Sequence, residues 1–405
     1  MAVSSELPRL GRGRRVEMRY GKLTQTAWRR SVRRQLYREG QKALLQPSPF
    51  ETCSGLLCGG GSSDNALSPG AAVETLGERA DGGNYFLWAD AHASGTSPKT
   101  GYYAVLHAAG ELAAKGVSPE QISVRVLFPP EAEEAQLKAV TAGIVSACNR
   151  LGLSIGSFQG ETTFAAAGVT VFVTAAGAAK KRRLISSGET GTAGGTAAAQ
   201  SPGISGQKNS GQDILLCGYA GLEGTLRILD EAEEELGTRF VSAFLAHAKE
   251  LLKDLVTPSQ LLALYGDGGQ YTRTAASCVT AISQITSGGI LAALWELAET
   301  LGTGFEIDMS AISLRQETVE ICEFYRLNPY QITSAGSFLI VTKDAQETID
   351  ILERAGVRAV RLGVTKAQNA RVITSGEEVR YLDRPAPDEL AVWMADRKMG
   401  ITKSV

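Results

Sequence analysis

From Ser186 to Gln212 the chain reads SSGETGTAGGTAAAQSPGISGQKNSGQ, with Ile204 as its only large apolar residue. Such a stretch buries too little surface to offset the entropy lost on ordering it, and its Gly, Ser, Thr and Ala content is that of a flexible connector. Asp213 to Cys217 (DILLC) follows at once and reads as a buried strand. The chain is therefore expected to fold as two bodies joined by a linker over 186–212, the first ending near Ile185. Its 405 residues agree with two domains at about 150 residues each.

Apolar residues make up 43% of the chain and charged ones 21%, with a net charge of -2, which describes a soluble globular protein without whole-chain affinity for polyanions. Cys53, Cys58, Cys148, Cys217, Cys278 and Cys322 are scattered, mostly among small or apolar neighbours, and read as free thiols in a reducing compartment. His92, His107 and His247 supply no second ligand pair of zinc spacing beside Cys53 and Cys58. Neither a membrane-length apolar run nor a secretory leader is present, so the expectation is a cytoplasmic protein without a membrane partner. The arginine-rich start (Arg9, Arg12, Arg14, Arg15, then Arg29, Arg30, Arg33, Arg34, Arg38) raises a transit peptide or a nucleic-acid arm. Trp28, Val32 and Leu36 recur at helical spacing instead, which reads as an amphipathic helix with a solvated basic face.

In the first half, Tyr85–Ala89, Ser123–Phe128 and Val169–Ala175 read as strands. Tyr102–Lys115, closed by Gly116, and Glu131–Leu151, closed by Gly152, read as helices. In the second half, Leu222–Glu235, Arg239–Leu252, Ile290–Leu301 and Gln316–Tyr325 read as helices, and Ser337–Thr342 and Ala359–Val364 as strands. The class is α+β. A Pro-led tail follows Arg384, with a helical piece over Glu389–Arg397 that could dock on the body.

Three glycine segments bear on phosphate chemistry. Thr286-Ser287-Gly288-Gly289 opens onto a helix whose free N–H groups and dipole suit an anion; the bland alternative is an ordinary helix start capped by Thr286 or Ser287. Gly218, Gly221 and Gly224 lack dinucleotide-fingerprint spacing and read as a tight strand-to-helix turn. Gly59-Gly60-Gly61-Ser62-Ser63-Asp64 lacks the lysine of a P-loop and reads as a loop.

The order GGILAALWELAETLGTGFEIDMSAISLRQETVEICEFYRLNPYQITSAGSFLIVT, with its Gly-Gly turn, E-I-D strand end, R-Q-E-T helix and S-x-G-S turn, resembles the C-terminal domain of the aminoimidazole ribonucleotide (AIR) synthetase superfamily. The branch it resembles is that of the hydrogenase maturation factor, and Asp213–Leu236 resembles the start of the same domain. Asp90, AVLHAAGELAAKGVSP, SVRVLFPP and VTVFVTAAG resemble the N-terminal domain. The resemblance implies a two-domain α+β fold, with an N-terminal mixed sheet that pairs with its copy into a dimer barrel and a C-terminal α/β sandwich. The expected division is a disordered start over 1–15, domains over 16–185 and 213–385 around the 186–212 linker, and a tail over 386–405.

The resemblance further implies ATP and Mg²⁺ at the dimer interface, the ion being held by acids because it prefers oxygen ligands. Carried onto this chain, the metal residues are Asp90, Glu111, Glu161 and Glu51, and the phosphate-binding residues Thr286, Ser287, Gly288 and Gly289. This chain departs from the family's pattern at several of these places. Glu-Asp-Cys becomes Glu51-Thr52-Cys53, Asn-Asp becomes Gly110-Glu111, the Gly-Gly-His-Thr-Glu or Gly-Gly-Glu-Thr segment becomes SFQGET over Ser157–Thr162, which keeps Glu161 and loses the glycine pair, and the Asp of Asp-x-Thr-x-Gly-Gly becomes Gln284. No catalytic residue is assigned. The implied activity is ATP-dependent phosphorylation of an amide-type or carbonyl oxygen on a small-molecule or protein substrate. The alternative is a non-catalytic dimeric relative that binds a small molecule or protein after losing metal-binding acids. Ending Thr402-Lys403-Ser404-Val405, with Cys322 its last cysteine, the chain is not expected to build cyanide ligands on a terminal thiol. Nucleic-acid binding rests on the N-terminal arginines alone.

Overall fold

A computed structural model describes residues 22–23, 25–33, 49–58, 84–180, 209–266 and 278–400. The expected disordered start, the Gly59–Asp64 loop and linker residues 186–208 lie outside them.

Two mixed sheets organise these residues, and no helix among them is long and apolar enough to cross a membrane. The first has the order β1-β2-β5-β3-β4, built from β1 (Cys53–Cys58), β2 (Asn84–Gly95), β3 (Gln121–Phe128), β4 (Ser154–Thr162) and β5 (Val169–Lys180). Long antiparallel pairing of β2 with β5, from Asn84 opposite Lys180 to Gly95 opposite Val169, forms its spine. β3 and β4 run parallel through the helix Glu134–Leu151. That helix opens on the Glu133/Gln136 capping box and closes on Gly152 at φ 70°, where a left-handed residue costs least as glycine. In β3 the odd positions 121, 123 and 125 face solvent and Ile122, Val124 and Val126 are buried, the period-2 pattern of a sheet covered on one side.

The second sheet has the order β12-β11-β8-β10-β6-β9-β7. Its strands are β6 (Asp213–Cys217), β7 (Val279–Gln284), β8 (Gly304–Asp308), β9 (Phe338–Thr342), β10 (Ala359–Lys366), β11 (Arg371–Ser375) and β12 (Glu378–Tyr381). β9, FLIVT, is buried at every position because elements cover both of its faces. Asn209–Gln212, at the end of the expected linker, is tied to β10: Gly211 donates to the Thr365 carbonyl at 2.8 Å and Gln212 to Thr365 Oγ1 at 3.0 Å.

The helix Thr100–Ala114 joins the two sheets. All its residues but His107 are buried, and it is rich in alanine and glycine. A helix apolar on every side has to be enclosed on every side. One side lies on β2 and β5, and other sides meet β7, the helix Glu134–Leu151 and the short helix Pro258–Leu262. Leu222, Leu226, Leu251 and Leu255 from the second half belong to the first half's core, while Ala113 and Ala114 belong to a cluster of the second.

The outer face of the first sheet is bare. Among the described residues, Leu56, Phe86 and Phe172 are exposed there, at 40% to 61%, while Ile155 and Phe158 of the edge strand β4 pair with the buried Ile122 and Val124 and so lie on the other face. At the C-terminus the helix Glu389–Lys398 docks on the body, burying Leu390 and Trp393 beside Tyr325 and Ile332. Gly218 (φ 90°) and Gly221 (φ 71°) form the tight turn expected before the helix Leu222–Leu236. At the N-terminus only a four-residue helix, Gln25–Trp28, is followed by a π-turn over Arg29–Arg33; Leu36 lies outside the described residues. β1, β4, β7, β11 and β12 are not among the strands expected from the sequence. β4 is an edge strand exposed at all nine positions, so it shows no alternation.

Candidate functional site at the domain junction

On the Thr100–Ala114 helix, His107 and Glu111 are four residues apart on one face, and Lys115 at its C-cap continues the stripe. That face meets the start of β1 and the end of β7. Glu111 is at its centre, 9% exposed. Thr52 Oγ1 donates to its Oε2 at 2.7 Å, Gln284 Nε2 to its Oε1 at 3.2 Å, and His107 Nε2 lies 3.4 Å from Oε1. Burial alone would raise the Glu111 carboxyl; the hydrogen bonds and charge of His107, the Thr52 hydroxyl and the charge of Lys22 hold it down at about 2. Lys22 arrives from the N-terminal segment and pairs with Glu296 at 2.9 Å.

Gln284 has its amide fully engaged: Nε2 donates to the His107 carbonyl at 3.0 Å and to Glu111, and Oε1 accepts from Gly336 N–H at 3.4 Å. Gly110 makes room for it. A Cβ at residue 110 would lie 2.0 Å from Gln284 Oε1, closer than van der Waals contact permits. Two departures seen separately in the sequence, Gly110 and Gln284, thus occupy one space.

Glu51 lies beside this network, with Oε2 taking the Lys115 ammonium at 2.8 Å and Oε1 the Cys53 N–H at 3.0 Å. Burial would lower the Lys115 amine, and Glu51 reverses the direction and raises it. Cys53 Sγ contacts the Glu111 carbonyl at 3.6 Å, and burial with neighbouring carboxylates pushes its thiol far up, so it is an unreactive packed group.

Of the four metal residues expected from the resemblance, the structure brings Glu51 and Glu111 to one junction and leaves the other two elsewhere. Asp90 lies on the outer face of the first sheet, accepting from Thr174 Oγ1, whereas Glu111 lies on the helix covering the inner face. Glu161 is on the edge strand β4, exposed, opposite Leu127. Asp90 pairs with Thr174, Thr174 with Ser123, and Ser123 with Ser157. Glu161 is thus three strands across and four residues along, roughly 20 Å away within one chain. Mg²⁺ holds its ligands at about 2.1 Å. Among the described residues no three acids, histidines or cysteines are arranged so as to hold a metal ion, and within a single chain these residues do not fit it.

The glycine turn has its own occupant. Gly288 (φ 89°) is the N-cap of the helix Gly289–Leu301, and neither Thr286 nor Ser287 caps it with a side chain. Gly288 N–H donates to Asp388 Oδ2 at 2.7 Å, while Asp388 Oδ1 accepts from Ala391 N–H at 3.1 Å as cap of the tail helix. Burial raises the Asp388 carboxyl, and those two hydrogen bonds oppose the rise. Thr286 is buried, and Gly289 packs under the carbonyls of Tyr330 and Ile332, 2.5 and 2.8 Å from where a Cβ would be. The turn does bind an anion, one supplied by the chain's own tail.

Sequence reasoning missed Thr52, His107, Lys115 and Asp388 as members of these networks. The i, i+4, i+8 stripe His107-Glu111-Lys115 was legible in HAAGELAAK, whereas a cap reaching across a hundred residues carries no local signal.

Comparison with known proteins places residues 79–179 in the family described as AIR synthase related protein, N-terminal domain, and residues 271–375 in AIR synthase related protein, C-terminal domain. Carbamoyl dehydratase HypE of Rhodobacter capsulatus is 29% identical over 123 residues, 29% of this chain and 36% of that protein. The chain's match thus spans about a third of the length of the curated relatives it resembles. Among solved structures, the HypE-HypF complex superposes with a TM-score of 0.57 at 14% identity, covering 74% of this chain and 90% of that one. HypE in complex with ATP superposes at 0.52 and 16%, covering 75% and 87%. At these identities the likeness is one of fold.

The Glu111 carboxyl is lowered in the folded state, from 4.5 to about 2, so its contribution is present above pH 4.5 and is lost as pH falls toward 2. The difference corresponds to roughly 3 kcal/mol. Urea unfolding followed from pH 6 down to about 2 should show a loss of this size that Glu111→Gln removes. Identical pH slopes in the two proteins would mean that Glu111 is not held as an ionised group.

Proposed function

The chain belongs to the AIR synthase related family, and from that premise we propose that it is a HypE-like homodimer acting as a binding scaffold for a small-molecule or protein partner, without metal-assisted phosphoryl transfer. The observation that carries this reading is the Gln284 amide donating to the buried Glu111 carboxylate from the space left by Gly110. Where the resemblance implies an acid at 284 and an Asn-Asp pair at 110 and 111, this chain has an amide and a glycine. With Thr52 also in place of an implied acid, two negative charges are gone, and the Glu111 carboxylate is supplied with donors by both replacements. A divalent ion entering here would have to break the bonds to Thr52 and Gln284 and recruit acids that are already engaged or remote.

The dimer rests on the outer face of the first sheet. Leu56, Phe86 and Phe172, with Phe86 beside Trp88 and Phe172 stacked on His92, make an apolar surface on a sheet face that no other described element covers. A face of this kind marks an interaction surface. The fold likeness to the HypE-HypF complex supports a protein partner in addition to a second copy.

Two observations favour a second reading, ATP-dependent activation of an amide-type or carbonyl oxygen: the Glu111 carboxyl is held low although enclosed, and HypE in complex with ATP shares the fold. The two readings separate on addition of ATP. The scaffold reading expects no Mg²⁺-dependent ATP hydrolysis and no difference in ATP thermal shift with and without Mg²⁺. It further expects Gln284→Asp, which returns the acid, to create a Mg²⁺-dependent shift; a ligand at 100 times its dissociation constant would add about 2.7 kcal/mol. Mg²⁺-dependent hydrolysis by the unaltered protein, abolished in Glu111→Gln, would establish the second reading instead.

For the assembly, light scattering should give the mass of a dimer for the unaltered chain and of a monomer for Phe86→Glu/Phe172→Glu with its helical circular dichroism unchanged. A unaltered protein that is monomeric at micromolar concentration would rule the homodimer out.

A further inference from the structure

A cleft of about 760 Å³ opens on the far side of Tyr219 from the junction. That is within the range of small-molecule sites. Its wall includes Tyr219, His247, Ser313, Arg315, Glu317 and Arg358. The carbonyl of Tyr219 accepts from Ser334 Oγ at 3.0 Å and Ser337 Oγ at 2.6 Å, the residues that flank Ala335 and Gly336, while its ring faces the cleft. The cleft and the Gln284 network therefore share one loop and have separate linings.

Its polar lining includes two arginines, Arg315 and Arg358, beside Ser310, Ser313, Gln316, His247 and Glu317. The Arg315 guanidinium lies 4.0 Å over the Tyr219 ring and pairs through Nη2 with Asp254, and its Nε is buried with no hydrogen-bond partner. A buried donor of a charged group left without an acceptor is costly, and an acceptor in the cleft would relieve it. Arg358 is exposed; its Nε donates to Ser313 Oγ at 3.3 Å, and no acid pairs with it among the described residues. His247 Nδ1 and Glu317 Oε1 are 2.7 Å apart, so the Glu317 carboxylate is already engaged. The helix Gln316–Phe324 starts at the same place with Arg315 as its N-cap and no side chain capping it, which adds N–H donors and the positive end of the helix dipole. With Arg315 Nη2 paired with Asp254 and Glu317 engaged by His247, Arg358, Arg315 Nε and the helix start are the donors left to meet an anion.

We infer that this cleft binds a phosphate-bearing small molecule, with Arg358, Arg315 Nε and the start of the Gln316–Phe324 helix on the phosphate and its remaining body against Tyr219. Planar guanidinium forks match phosphate oxygens in pairs, and a helix start accommodates a dianion better than a monoanion. The inference goes beyond the scaffold reading and does not depend on it.

The test is calorimetric titration of the full chain with inorganic phosphate at constant ionic strength, with acetate as the monoanionic control. The expected result is saturable phosphate binding, weakened about tenfold in Arg358→Gln, the loss typical of one charged hydrogen-bonding partner. Arg358 is exposed, so this variant should keep the unaltered melting temperature. Arg315→Lys, which keeps the charge and removes Nε, should also weaken binding. If no saturable binding is found, if acetate binds as tightly as phosphate, or if both variants bind phosphate like the unaltered protein, the assignment is overturned. Binding that persists in the monomeric Phe86→Glu/Phe172→Glu protein supports a site within one chain, and its loss there contradicts it.

Discussion

A carboxylate enclosed by protein and still ionised needs donors on every side, and Glu111 imposes that requirement where the two sheets meet. The Thr100–Ala114 helix that carries it is packed on all sides, so the charge cannot turn out to solvent. Its partners come from four places in the chain: Thr52 ahead of β1, His107 one turn earlier, Gln284 at the end of β7, and the charge of Lys22 from the N-terminal segment. Each of these segments is thereby fixed against the others. The junction where the sequence resemblance implies metal-binding acids here ties the two halves of the chain together.

The same substitution logic operates at the glycine turn. A helix start with Gly288 in the left-handed region presents an N–H to an anion whatever its source. In this chain the anion is Asp388, already committed as the cap of the tail helix, whose Leu390 and Trp393 are buried in the second domain. Lys398 at its other end reaches the Ala167 carbonyl of the first half at 2.7 Å. Tail docking and turn geometry therefore reinforce each other, as Gly110 and Gln284 do at the junction.

Much of the fold was legible because apolar periodicity reports burial directly. DILLC, SVRVLF and the stripe Ile290, Leu294, Leu297, Leu301 all lie where their patterns put them. The strand β4 was not legible, since an edge strand with polar residues on both faces has no period to read. At the site, individual positions could be read and their relation could not. Gly110 and Gln284 looked like two independent losses, and only the 2.0 Å approach between residue 110 and the Gln284 amide shows that one accommodates the other. Asp90 and Glu161 illustrate the converse. Acids aligned with one motif set are separated by the sheet, on a different face or at a far edge, because sequence order says nothing about which face a strand residue takes until its register is known.

The central claim is that Gln284 and Glu111 stabilise each other across the junction, and a double-mutant cycle measures that directly. Urea unfolding at neutral pH of the unaltered chain, Glu111→Gln, Gln284→Ala and the double variant should give a coupling energy of about 1.5–3 kcal/mol, the worth of a buried hydrogen bond to a charged group. A coupling within about 0.5 kcal/mol of zero would contradict the account, since the two side chains would then be neighbours that do not depend on each other.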